Sequence, residues 1–210
     1  MSPKPRATRS LEREARRFGF VHVAGCDEVG RGCLAGPVVA AAVVLPAAIR
    51  IPGIADSKAL TSDQRDALFD QITRAALVWQ VAFVDAAEID RINILRASQL
   101  AMRRALCALE PLPGFVLVDG HLPIPELLVP QRAVIGGDRR STVIAAASIL
   151  AKVTRDRWMT QAHADDPRYG YDKHKGYGTP EHLRAVTEFG YSTLHRRSFR
   201  PPSLFDTIDD

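Results

Sequence analysis

Two kinds of hydrophobic pattern alternate along this chain. Short unbroken apolar runs occur in VHVAGC at 21–26, PVVAAAVVL at 37–45, FVLV at 115–118 and RAVI at 132–135, and these predict buried strands. VWQVAFV at 78–84 predicts another. Between the runs the apolar positions take the spacing of a helix face. That spacing predicts helices over DQRDALFDQITRAA, with Ser62 as N-cap, and over NILRASQLAMRRALCAL from Asn93 until Pro111 stops it. Another starts near Thr142 and runs to the mid-150s or beyond, and a last short one, PEHLRAVTEFG, stops at Gly190. Residues 1–18 are basic and weakly apolar, which predicts a frayed arm or a surface helix. Strands first, then strands alternating with helices, describe an α/β fold: a mixed sheet covered by helices.

The 210 residues are 46% hydrophobic, enough for one substantial core. No repeat, low-complexity stretch or long Gly/Ser linker divides them, so one domain is expected. No segment approaches the roughly 20 uncharged apolar residues of a membrane span, and MSPKPRATRS lacks the apolar centre of a secretory signal. A cytoplasmic protein without membrane association is expected. Cys26, Cys33 and Cys107 are odd in number and far from CxxC spacing, which suggests small buried hydrophobes rather than a disulfide framework or a zinc site. The net charge of +4 is unevenly spread. Residues 1–20 carry six Lys/Arg against two acids and residues 139–200 carry twelve against six, while 21–138 are net negative by three. Cationic ends fit a polyanionic partner or an ordinary solvated surface.

The acids of the middle segment fall at particular places. Asp27 and Glu28 are predicted to end the first strand, Asp119 ends FVLV, and Asp138 lies between RAVI and the next helix. If these strands are neighbours, about 4.8 Å apart, the carboxylates can converge on one rim of the sheet. Side chains alternate along a strand, so Asp27 and Glu28 share a side only if the backbone turns, which the glycines after them permit. Crowded carboxylates raise each other's pKa, and a divalent cation with a preference for hard oxygen ligands, Mg²⁺ or Mn²⁺, removes that cost. Each acid also has a plainer reading. Asp119-Gly120 fits a hairpin turn, Asp138 a helix cap, and Asp27-Glu28 a solvated loop. Gly30-x-Gly32-x-x-Ala35 resembles a dinucleotide fingerprint, but the strand-like, proline-broken Gly36-Pro37-Val38-Val39 follows where that motif requires a helix. Beside Arg31, the glycine pair suits close approach of backbone N–H groups to a phosphodiester or sugar.

DEVGRG at 27–32, DSK at 56–58, NIL at 93–95, DG at 119–120, GD at 137–138, AAASILAKVTRD at 145–156, HKGYGT at 174–179 and HRRSF at 195–199 together resemble bacterial ribonuclease HII, of the ribonuclease H-like superfamily. The resemblance covers about residues 20–200. It implies a ribonuclease H-like catalytic domain with a small helical C-terminal part, preceded by a basic arm at 1–19 and followed by an acidic tail at 201–210. It also implies an endonuclease, acting as a monomer with Mg²⁺ or Mn²⁺, that cuts the RNA strand of RNA/DNA hybrids and nicks duplex DNA 5′ of embedded ribonucleotides. Carried over by position, Asp27, Glu28, Asp119 and Asp138 are its catalytic and metal-binding acids. Gly30, Arg31 and Gly32 contact the ribonucleotide 2′-OH, and Tyr177 stacks on the following deoxyribose. Lys58 and Lys175 are expected to grip phosphates. Cys33 stands where the family pattern has proline, which bears on local rigidity.

Two metal ions serve in-line displacement without a protein nucleophile and leave 5′-phosphate and 3′-hydroxyl ends. Accordingly His174 and His195 are expected as phosphate contacts or buried hydrogen-bonders, and Ser148 and Lys152 as packing residues. Asp156, far down the helix beside Arg155 and Arg157, is expected in surface ion pairing rather than at the rim. A non-enzymatic nucleic-acid binder and a nuclease for branched DNA are the remaining classes.

Overall fold

The computed structural model describes residues 7–54 and 60–199. Five strands, β1 (Val23–Val29), β2 (Val38–Val44), β3 (Val78–Val84), β4 (Phe115–Asp119) and β5 (Gln131–Val134), form one sheet in the order β3-β2-β1-β4-β5. β1 pairs antiparallel with β2 and parallel with β4, and β4 pairs parallel with β5. The sheet is mixed, as the pattern predicts. The C-terminal ends of β1, β4 and β5 therefore lie on one rim.

Every residue of β2 is buried, which is why VVAAAVV shows no alternation: both faces are covered. On one face, Val23 and Val43 pack with the apolar side of α5 (Thr142–Asp165) and with Leu68 and Ile72 of α2 (Ser62–Ala75). On the other, Ala24, Cys26, Val116 and Val118 pack with α4 (Ile94–Cys107). Gly25 sets the α5 contact. A Cβ there would lie 2.2 Å from the Val143 carbonyl carbon, so only glycine lets helix and strand backbones come this close.

Local chemistry revises several expected boundaries. α2 is capped by Thr61, whose side chain accepts from the Gln64 N–H while the Gln64 side chain returns to the cap backbone; Ser62 is its first helical residue. Asn93, at φ 68°, separates an extra helix, α3 (Ala86–Ile92), from α4, and its side chain caps α4. Ser10–Arg17 form a helix, α1, whose Leu11 and Ala15 join the core and whose buried Glu12 accepts from the Ser141 hydroxyl and the Val143 N–H. Residues 1–6 and the tail from 200 onward lie outside the described residues, as do 55–59. No described helix is long and apolar enough to cross a membrane.

After α5, a short helix α6 (Tyr171–His174) and then α7 (Pro180–Phe189), capped by Thr179 and ended at Gly190, form the small helical C-terminal part. The free cysteines Cys26 and Cys33 are buried and Cys107 is exposed.

Candidate active site

Asp27 and Glu28 lie near the end of β1, which runs one residue further than expected. They pair with Ala41 and Ala40 of β2, and the strand continues to Val29, because β2 is long enough to hold it extended. The two side chains therefore alternate, with no turn to bring them together. Asp27 falls on the α5 side, two residues on from Gly25. Two residues of strand span about 6.6 Å; four residues of helix, from Ile144 above Gly25 to Ser148, span about 6 Å. That match brings the Ser148 hydroxyl to the Asp27 carboxylate. Ser148 thus does more than pack, and the small-residue run AAAS marks where a helix can approach a strand this closely.

Asp119 ends β4, one step beyond the registered pair Cys26–Val118, and so stands beside Asp27. Its Oδ1 accepts from the Gly137 N–H at 2.6 Å. A Cβ on Gly137 would meet Ile144 Cδ1 at 2.5 Å and Asp119 Oδ1 at 3.1 Å, so a larger residue there would displace the Ile144 side chain and crowd the Asp119 carboxylate. The next residue is Asp138, in a 3-10 turn (Gly137–Arg139) after β5, only 3% exposed and near Arg139. Of the plainer readings, the hairpin at Asp119-Gly120 fails because β4 and β5 are parallel. Ser141, not Asp138, caps α5.

Burial, then the charges of Asp119 and Glu28, raises the Asp27 pKa well above the usual aspartate value; hydrogen bonds from Ser148 and the Glu28 N–H (2.8 Å) oppose the rise. Asp119 is raised by burial and by Asp138, against the Gly137 bond. Glu28 is raised chiefly by burial and is countered by Arg31, which it meets at 3.2 Å. Among the described residues no three His, Cys, Asp or Glu side chains already stand close enough to hold an ion. The rim is instead a set of mutually repelling oxygen donors, the chemistry that hard divalent cations relieve.

The segment after β1 is fixed from beneath. Gly30, at φ +92°, has the Arg155 side chain where a Cβ would stand, while no atom lies within 4 Å of the Cβ position at Gly32. Arg155, fully buried, donates to the carbonyls of Pro37, Ala35 and Lys175. Arg196, equally buried, donates to those of Gly36 and Arg31, and burial lowers its pKa to about 10. Sequence reasoning missed both anchors, because a buried arginine reads like a surface one.

The Gly176 carbonyl accepts from the N–H groups of Leu34 and Ala35, which brings the Tyr177 loop to this segment. Tyr177 is 43% exposed. The Lys175 ammonium, expected to grip phosphate, donates instead to Thr160 Oγ1 and the Asp172 carbonyl. Lys58 lies outside the described residues. His174 and His195 are buried hydrogen-bonders rather than surface contacts. Asp156 is ion-paired, as expected, and its partner is Lys152 at 2.8 Å, one turn away on α5. Arg155 points into the core, and Arg157 pairs with Asp66.

A family model described as Ribonuclease HII matches residues 24–201. A curated protein named Ribonuclease HII from Desulfitobacterium hafniense (strain DSM 10664 / DCB-2) is 52% identical over 195 residues, covering 91% of this chain and 75% of its own. The crystal structure of ribonuclease H2 from Pyrococcus horikoshii OT3 superposes with a TM-score of 0.72 at 28% identity, covering 85% of this chain and 94% of its own. A structure of Bst-RNase HIII in complex with Mn²⁺ shares the fold at 19% identity, with a TM-score of 0.67 over 88% of this chain and 69% of its own.

Proposed function

This chain belongs to the ribonuclease HII family of endoribonucleases, which cut the RNA strand of RNA/DNA hybrids, and we propose from that premise that it also nicks duplex DNA 5′ of a single embedded ribonucleotide. The observation that carries the reading is Asp119 standing beside Asp27 on one rim, with Asp138 next to Asp119, Glu28 adjoining Asp27 on β1 and the Gly30–Gly32 backbone next along the chain. Asp27, Glu28, Asp119 and Asp138 would hold divalent cations, Mg²⁺ or Mn²⁺. When bound, these supply an activated water and neutralise charge on the departing 3′ oxygen, leaving 5′-phosphate and 3′-hydroxyl ends.

The chain's own groups do the rest. Arg155 and Arg196 take up carbonyls of residues 31–37, which fixes the Gly30–Gly32 backbone to meet a 2′-OH, the group that distinguishes RNA from DNA at a site. No base is read, so sequence preference is weak. Arg31 is half exposed, and its pairing with Glu28 is a weak surface contact. A phosphate can draw Arg31 away, which frees Glu28 for a cation. Tyr177 offers a ring face for the neighbouring deoxyribose.

Mapping the cuts on end-labelled duplexes carrying zero, one or four ribonucleotides tests this reading. A nick 5′ to the single ribonucleotide with all-DNA duplex intact is expected; comparable cutting of all-DNA duplex would refute it.

A further inference from the structure

Behind Tyr177 lie three buried imidazoles that the hydrolytic chemistry does not use. His174 ends α6, His182 sits in the first turn of α7 and His195 lies in the loop after it. His174 and His182 stack at 4.3 Å, and His182 Nε2 stands 3.0 Å from His195 Nε2. Two imidazoles that meet nitrogen to nitrogen form a bond only if one donates and the other accepts.

The surrounding groups decide which. The Ser192 backbone N–H donates to His195 Nδ1 at 2.9 Å, and the Ser192 hydroxyl stands 2.8 Å from the same atom. His195 Nδ1 is therefore an acceptor, so a neutral His195 carries its proton on Nε2 and donates to His182 Nε2. His182 must then carry its own proton on Nδ1, which lies 2.9 Å from the Tyr177 carbonyl oxygen. His174 is fixed in the same way: it accepts from the Gly176 N–H at Nδ1 and donates from Nε2 to the Tyr169 carbonyl at 2.7 Å. Each of the six ring nitrogens has one role. Burial keeps the rings neutral, lowering His182 and His195 to about 4 and His174 in the same direction.

We propose that His182 is a positioning residue for substrate recognition: the relay from the Ser192 N–H through His195 to His182 holds the Tyr177 carbonyl and thereby sets the Tyr177 ring against the Gly30–Gly32 segment. The inference rests on the reading of Tyr177 as the stacking face. The Tyr177 carbonyl also accepts from the Thr179 N–H at 2.8 Å, so a second donor restrains a peptide that one alone would leave free to rotate. Because the preceding residue is bonded to Leu34 and Ala35, any rotation at 177 changes the ring's placement relative to the glycine segment.

Substituting His182 separates its two bonds. Asparagine places an N–H near the position of Nδ1 and can still reach the Tyr177 carbonyl, whereas glutamine reaches toward His195 instead. His182→Gln should raise KM for a single-ribonucleotide duplex severalfold with kcat little changed, and His182→Asn should recover most of that loss. Equal KM values in the two variants, or losses that merely follow their melting temperatures, would make His182 a packing residue and overturn the proposal. A substrate-free measurement is independent of both. Long-range ¹H–¹⁵N correlation spectra should show His182 protonated on Nδ1 and His195 and His174 on Nε2; an Nε2–H tautomer at His182 would overturn the relay. Tyr177→Ala serves as the parallel arm. Wild-type cleavage by that variant overturns the stacking reading and the inference with it, whereas an impaired Tyr177→Ala beside an unimpaired His182→Gln overturns the inference alone.

Discussion

At the carboxylate rim, burial crowds like charges: Asp27, Glu28 and Asp119 each have their pKa raised. Beneath the Gly30–Gly32 segment and behind Tyr177, burial does the opposite. Arg155 and Arg196 each spend their donors on backbone carbonyls, and the three imidazoles divide into donors and acceptors in one consistent pattern. The second region is a finished network that fixes geometry. The first is costly in isolation and would gain from a bound cation. Buried polarity alone therefore does not point to a reacting centre; crowding of one sign of charge is the feature on which the proposed centre rests.

Removing charge from each region should separate them most sharply. Asp27→Asn should lower cleavage by on the order of a thousandfold, the scale seen when one electrostatic group is lost from a reacting centre. The same variant should melt at a higher temperature in metal-free buffer, because the folded state disfavours ionised Asp27. With a folded pKa above the unfolded one, the native state holds the extra proton, so metal-free stability falls as pH rises upward from the ordinary aspartate range. Asp27→Asn should flatten that slope, and parallel melting curves for the two proteins across pH would count against the assignment.

Arg155→Met, in the finished network, should behave oppositely. Three carbonyls, two of them buried, lose a charged donor, and stability should fall by about 3 kcal/mol or more. Urea unfolding measures this; a loss under about 1 kcal/mol would mean that water replaces the guanidinium at little cost. Ser148→Ala should have the smallest effect, at most about a tenfold loss of rate, since one hydrogen bond contributes about 1 kcal/mol. It should move the acid limb of the pH–rate profile upward, because Ser148 opposes the rise of the Asp27 pKa. A limb that stays in place would remove Ser148 from the site.

The contrast also explains what could be read in the sequence. The strands and the long helices were legible, and so was the position of the four acids at or near strand ends, because these are local patterns. The Gly25 contact with α5 and the anchoring of the segment after β1 by Arg155 and Arg196 depend on residues more than 100 positions apart. Nothing in a local window distinguishes Arg155, which is buried, from its neighbour Arg157, which is exposed. α3 was missed because Asn93, at positive φ, both ends it and caps α4.

The rim's membership is tested most directly by single-turnover cleavage of a single-ribonucleotide duplex at saturating Mg²⁺, comparing Asp138→Asn with Asp156→Asn after both are shown to be folded. Asp138 adjoins Gly137, whose N–H binds Asp119, while Asp156 lies about 21 Å along α5 from Thr142 and pairs with Lys152. Asp138→Asn should be crippled and Asp156→Asn should keep most of its rate. The reverse ranking would contradict a hydrolytic centre built on the ends of β1, β4 and β5.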